Sequence, residues 1–204
     1  MFTRVITYTG ANNIEDGIAY VRETVVPVLH QQRGFKGLTL SVDRTNKVLG
    51  ILSLWDTAAD REASDGGLEK NRDEALRIVG GTLRVELFEE TSVDLVGPPV
   101  AGTALLVRRI SMAPDTIDAN AEFFRTEILP QIKSLPGFRA ARHMVNRTTG
   151  EGIVGTVWDD AATLEAAAKA ADQRRQIAAD HGVTFGEQTR REGVVVDLGK
   201  PRYT

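Results

Sequence analysis

Apolar and polar residues alternate along this chain in short runs separated by stretches of helical spacing, and the same succession of patterns occurs twice. Arg4 to Thr9 is rich in β-branched and aromatic residues and predicts a strand closed by Gly10-Ala11-Asn12-Asn13. Ile14, Ile18, Val21, Val25 and Leu29 then fall on one helical stripe, with Asn13 as N-cap and Arg33-Gly34 at its end. Pro27 interrupts that stripe, and because proline lacks an N–H and clashes one turn back, a kink or restart is expected there. Leu38, Leu40 and Val42 alternate with Thr39, Ser41 and Asp43, the pattern of an edge strand with one wet face. From Val48 to Trp55 both faces are apolar, so the strand needs cover on both sides. Asp56 or Thr57 caps a helical region to about Val79, interrupted at Gly66-Gly67 and stopped by Gly80-Gly81. Leu83, Val85 and Leu87 alternate in a last strand that reaches Leu95. The order is β-α-β-β-α-β, the split ferredoxin-like arrangement.

The stretch from Pro27 to Asp56 recurs at Pro130 to Asp159: Pro, Gly-Phe, Val-x-Arg-Thr and Trp-Asp all return 103 positions later, in a register that continues to Val93-Asp94-Leu95 and Val196-Asp197-Leu198. A solenoid repeat is roughly 20–50 residues long, so this period is that of a small domain copied whole. The second copy supplies a strand at Ala104–Ser111, Asp115 as N-cap, a stripe through Ile117, Ala121, Phe124 and Ile128, and Pro130 as the matching kink. Its third strand is Gly152–Trp158, its second helix the alanine-rich Ala161–Ala179, and its last strand Val183–Leu198. The predicted organisation is a first repeat at 1–97, a linker at 98–103 stiffened by Pro98-Pro99, and a second repeat at 104–204 ending in a loose tail from Lys200 to Thr204. Domains this small bury little of their surface alone. The expected fold class is therefore α+β, two ferredoxin-like repeats packed sheet to sheet around a pseudo-twofold axis, each covering the other's two-faced strand.

Composition narrows the chemistry. A net charge of −3 gives no reason to expect nucleic acid or an anionic membrane as partner. The chain has no cysteine, which removes disulfides, thiolate metal sites and sulfur nucleophiles. Its three histidines, His30, His143 and His181, show no paired spacing, so no metal site and no bound cofactor are expected. No leader-like or membrane-length apolar run occurs, and a cytoplasmic protein is expected.

A helix, a Gly-Phe turn (Gly34-Phe35, Gly137-Phe138), a strand, a hairpin and a third strand ending in Trp55-Asp56 or Trp158-Asp159 resembles the dimeric α/β-barrel superfamily, and within it the antibiotic-biosynthesis monooxygenase-like domains. The resemblance spans nearly the whole chain, once per repeat. It implies an intrachain dimeric α/β barrel in which both halves of the usual homodimer sit in one polypeptide, with further homodimerisation open. It is specific for fold and not for activity, because that family includes cofactor-free monooxygenases, haem-degrading enzymes and isomerases. Haem-degrading relatives use an asparagine on the first strand and a histidine on the helix after the tryptophan. Neither copy has them, which argues against haem degradation.

Among candidate site residues, Trp55 and Trp158 match the tryptophan that lines the pocket in several family members, and read equally as core indoles at strand ends. His143 stands in the strand phase where the first copy keeps Leu40, as a base, a ligand contact or a histidine at a partly wet strand edge. Arg108, Arg109, Arg139 and Arg142 add positive charge, but alternation lets only some of them reach one pocket. The resulting expectation names His143 and Trp158 as catalytic and Trp55, Arg109 and Arg142 as substrate-binding, with the second copy as the working half. The function expected is a cofactor-independent monooxygenase of an aromatic or polyketide-like compound. The alternatives are a non-catalytic ligand-binding protein and a purely structural pseudo-dimer.

Overall fold

The computed structural model describes residues 1–97 and 100–198, so the Pro98-Pro99 stiffening and the Lys200–Thr204 tail lie outside the described residues. In the first repeat, β1 (Phe2–Thr9), β2 (Phe35–Asp43) and β3 (Val48–Trp55) form an antiparallel sheet with β3 in the middle. Phe2 and Phe35 both stand opposite Trp55, and a bulge between Phe35 and Gly37 adjusts the β2 register. The second repeat is built alike from β5 (Ala104–Ser111), β6 (Phe138–Val145) and β7 (Glu151–Trp158), with Ala104 and Phe138 opposite Trp158 and the matching bulge between Phe138 and Ala140. The hydrogen-bonded strand order is β1-β3-β2-β8-β5-β7-β6-β4 and closes on itself, the barrel implied by the two-faced third strands. β2 is consequently not an edge: it lies between β3 and β8, and Ser41 on its polar side is buried. The alternation that suggested an edge reflects small polar residues that fit a covered face.

The last strands are long, β4 running from Thr82 to Leu95 and β8 from Thr184 to Asp197. Each ends in the compact unit opposite its own repeat: one unit is Met1–Leu87 with the segment from Gly193, the other Phe88–Glu192. In the second unit, Glu89 to Leu95 of β4 pairs with Ala140 to Val145 of β6. In the first, Val194 and Val195 of β8 pack on its core and Asp197 Oδ2 lies 2.8 Å from His30 Nε2.

Helices cover one face of each sheet. In the first unit α1 (Ile14–Tyr20) passes through a π turn (Val21–Val25) into α2 (Val26–Leu29), followed after β3 by α3 (Ala58–Ala63) and α4 (Asp65–Val79). The second unit repeats this with α5 (Ile117–Phe123), a π turn (Phe124–Ile128) and α6 (Leu129–Lys133), then α7 (Ala161–Lys169) and α8 (Asp172–Asp180). The expected proline kinks are these π turns, after which Pro27 and Pro130 sit in the first turn of the next segment, where no N–H is needed. Two local expectations shift. The break in the first unit's last helix falls at Ser64, with Gly66-Gly67 inside α4, and Asp115 lies in a short 3-10 turn (Pro114–Thr116) that makes Thr116 the N-cap. Thr57 does cap α3, its Oγ1 accepting from Asp60 N at 3.0 Å, and Gly80 ends α4 at φ 74°. Gly17 lets α1 approach the end of α4 and β3, since a Cβ there would stand 2.3 Å from Val79 Cγ1 and 3.0 Å from Leu49 Cδ1.

The ending of β8 gives a direct test. A chain terminated after Gly193 should lose at least about 2 kcal/mol from the first unit, the contribution of two half-buried valines and the His30–Asp197 hydrogen bond. Amide exchange should speed up across Phe35–Asp43 while the protection of Phe138–Val145 is kept; unchanged exchange in both strands would contradict the assignment.

Candidate functional site

In the second unit, a cavity of about 110 Å³ lies between the sheet and the helices. Strand alternation decides what faces it: Leu106, Arg108 and Ile110 from β5, Val154, Thr156 and Trp158 from β7, and His143 from β6. The π turn contributes Phe124 and Ile128, and α8 contributes Arg174, Arg175 and Ala178. Phe123 and Phe185 complete an aromatic wall. Its size is comparable to the roughly 150 Å³ cavity that accepts benzene in another protein's engineered core.

His143 is buried, with Thr91 Oγ1 2.5 Å from its Nδ1 and the Phe124 ring 4.9 Å away, centroid to centroid. Thr91 Oγ1 also donates to the His143 carbonyl at 3.1 Å. A hydroxyl has one hydrogen, so it can serve both contacts only if Nδ1 carries the imidazole proton and donates it to Thr91. That tautomer leaves Nε2 as a bare acceptor. Burial pushes the His143 pKa down to about 4, so the ring is neutral at physiological pH. Trp158 is a different kind of participant. Its Nε1 donates to Thr156 Oγ1 at 2.9 Å, so the indole offers a ligand its apolar face and no hydrogen.

Positive charge gathers at one side. Arg108 lies over the Phe185 ring at 5.7 Å, and Arg174 Nη2 donates to Ala167 O at 3.2 Å. Burial is the main cause lowering the pKa of both, and for Arg108 the neighbouring Arg175 and Arg190 add to it. Among the described residues no acidic side chain lines the cavity. Asn120 Nδ2 donates to Thr116 O at 3.2 Å, which fixes the amide and leaves its buried Oδ1 without a partner; Gln188 Oε1 also has none.

The sequence-derived site thus comes together only in part. His143 and Trp158 share the cavity. Arg142 points to the other face of β6 and pairs with Glu90, while Arg109 sits where the β5–β8 register shifts; neither lines the cavity. Trp55 is fully buried in the first unit, its Nε1 bonded to Ser53 Oγ at 3.0 Å. Arg174, Arg175, Asn120 and Gln188 were not foreseen. An Arg-Arg pair following the small residues Ala167 and Ala171 was the available signal.

The equivalent space in the first unit is only about 30 Å³. Phe2 and Ala104 both face the tryptophan, so Arg4 takes the place of Leu106. Arg4 is buried and donates to Ser64 Oγ at 3.0 Å and Arg61 O at 2.6 Å, with Asp65 Oδ1 at 3.2 Å and its guanidinium over Trp55 at 5.6 Å. Desolvation lowers its pKa to about 10, against the pull of Asp65, so it stays charged. Leu68 stands where the second unit has Ala171, and Leu40 where it has His143. Arg4 and Leu68 fill space in the first unit that Leu106 and Ala171 leave open in the second.

No protein-family model matches the chain. It is 31% identical over 152 residues to the uncharacterized protein Rv2557 of Mycobacterium tuberculosis strain H37Rv, covering 74% of this chain and 68% of that protein. In three dimensions it is similar to a candidate monooxygenase from Lactobacillus acidophilus (TM-score 0.69, 10% identity, 97% of each chain). An anthrone oxidase-like protein matches with TM-score 0.68 at 15% identity, over 98% of this chain and 94% of that one. A ferredoxin-fold protein related to antibiotic biosynthesis monooxygenases, from Listeria monocytogenes, matches with TM-score 0.54 at 11% identity, over 95% of each chain. The fold is that of the monooxygenase-like dimeric α/β barrels, with both halves in one chain. Within it, the chain belongs to the family of Rv2557. Among the described residues no helix is long and apolar enough to cross a membrane, and no cluster of three or more His, Asp or Glu could hold a metal.

The buried imidazole makes stability depend on pH. Its pKa of about 4 lies below the unfolded value of about 6.5, so the unfolded chain binds the extra proton and stability falls as pH drops from 6.5 through 4. Over that window His143 should cost about 3 kcal/mol. His143→Leu, which reproduces Leu40, should lessen the loss in denaturant titrations at pH 7 and pH 4; an unchanged difference would contradict a buried neutral ring.

Proposed function

We propose that the second unit's cavity binds a hydroxylated aromatic or polyketide-like compound and serves as the site of a cofactor-independent monooxygenase. The observation that carries this reading is a neutral imidazole with a bare Nε2 among aromatic walls, in a fold shared with monooxygenase-like proteins. In such chemistry the substrate supplies its own electrons: an activated ring CH₂ is oxidised to C=O by one O₂, one oxygen atom entering the product and the other leaving as water. The protein has to exclude bulk water, hold the ring, and favour the enol or phenol form that transfers an electron to O₂. Phe123, Phe124 and Trp158 hold the ring. His143 Nε2 accepts the hydrogen bond of the ligand hydroxyl, acting through position more than basicity, since a group of pKa about 4 is a weak base for a phenol.

Oxygen consumption with anthrone and a panel of hydroxynaphthalenes tests the reading. Wild-type protein should consume O₂ in proportion to substrate, with a rate that is flat from pH 6 to 8 and falls towards pH 4 as His143 becomes protonated. His143→Leu should lower the rate at least about 10²-fold, within the span of single-group acid–base effects. Trp158→Phe should raise KM more than it lowers kcat. Binding of these compounds without oxygen uptake would favour the ligand-binding alternative instead.

A further inference from the structure

We propose that the substrate of this cavity is a diphenol, with two separate hydroxyl groups on one aromatic system, and that Asn120 is the residue that selects for the second of them. This rests on the aromatic-site reading above, in which His143 Nε2 takes one hydroxyl, and adds a second recognition point to it. Asn120 lines the cavity, is only 4% exposed, and its Oδ1 has no partner among the described residues. Which end of the amide is the oxygen follows from Thr116. Its hydroxyl gives its single hydrogen to Ala113 O at 2.8 Å, so towards Asn120 both Thr116 Oγ1 and Thr116 O can only accept. The amide end that meets them, at 3.1 and 3.2 Å, must be the NH₂ group, and the carbonyl is turned from them. An unsatisfied buried acceptor is costly, and a ligand that donates to it recovers that cost.

One hydroxyl cannot serve both acceptors, because it has one hydrogen to donate. Asn120 comes from the helix layer and His143 from the sheet, and Phe124, one turn on from Asn120 along the same helix face, holds its ring 4.9 Å from the imidazole. Both acceptors therefore border one aromatic surface, the arrangement that reads two hydroxyls on one flat ligand. Gln188 Oε1, on β8, is a further unpaired acceptor in the lining. At the same three places, 103 positions earlier, the first repeat has Gly17, Leu40 and Val85, and none of these side chains can accept a hydrogen bond. The acceptors thus belong to the open cavity and not to the fold.

Calorimetric titration under argon, which keeps oxidation out of the measurement, compares the dihydroxynaphthalene isomers with the two naphthols and with the monomethyl ethers of whichever isomer binds best. That isomer should bind at least about tenfold tighter than naphthol or ether, the ratio expected when a buried acceptor loses its donor. In Asn120→Leu, which keeps the side chain's approximate size and removes its carbonyl, the preference should shrink to within about twofold. Melting temperature is followed to confirm folding, and Asn120→Ala is read in its place if the leucine variant is unfolded. Diols no tighter than naphthol, or a preference that survives in the folded variant, would overturn the diphenol assignment while leaving the aromatic site in place. If no compound binds, the aromatic-site reading falls and this inference falls with it.

Discussion

Side chains alternate across a pleated strand, and in this protein that one constraint selects the contents of both cavities. Ala104 opposite Trp158 sets the phase of β5, and on β6 the bulge between Phe138 and Ala140 shifts the phase by one residue, so that Arg108 and His143 turn inward and Arg109 and Arg142 away. The first unit obeys the same registers, with Phe2 and Phe35 opposite Trp55. Its inward positions hold Arg4, Leu40 and Ile6 instead. One scaffold thus carries two interiors, decided by which residue falls on which side of the pleat.

The difference between those interiors is energetic as well as steric. A buried guanidinium costs several kcal/mol unless it is paired and hydrogen-bonded. Arg4 meets that requirement with Ser64, the Arg61 carbonyl, Asp65 and the Trp55 face, and in doing so occupies space that is open in the second unit. With Leu106 at the equivalent place the second unit leaves that space open, and its lining arginines are Arg108 further along β5 and Arg174 and Arg175 on α8. The neutral His143 follows the same rule: desolvation removes its charge, and Thr91 fixes which nitrogen carries the proton.

The fold was largely legible in the sequence because its signals are periodic and occur twice. The alternation in Leu38–Val42, the two-faced run Val48–Trp55 and the Trp-Asp strand ends each repeat at one fixed spacing, so a chance pattern in one copy would not recur in the other. The swapped ends of β4 and β8 were not legible, since pairing partners leave no periodic trace in a strand that simply continues. At the site, His143 was visible as a polar residue in an apolar phase. Arg109 and Arg142 do not line the cavity because a bulge and an outward ion pair depend on register, which a list of basic residues does not contain. Arg174 and Arg175 sit on a helix whose inward face is set by tertiary packing. Asn120 was hidden for the opposite reason, occupying the position where the first unit needs Gly17 to let α1 pack against the end of α4.

The central claim is that the duplicated chain keeps one cavity open and fills the other. A crystal equilibrated under xenon tests it most directly, because xenon enters apolar cavities of sufficient size without needing a specific ligand. A xenon atom is expected among Phe124, Val154 and Trp158, and none beside Ile51 and Leu68 near Arg4. Equal occupancy of the two units, or xenon in the first alone, would contradict it.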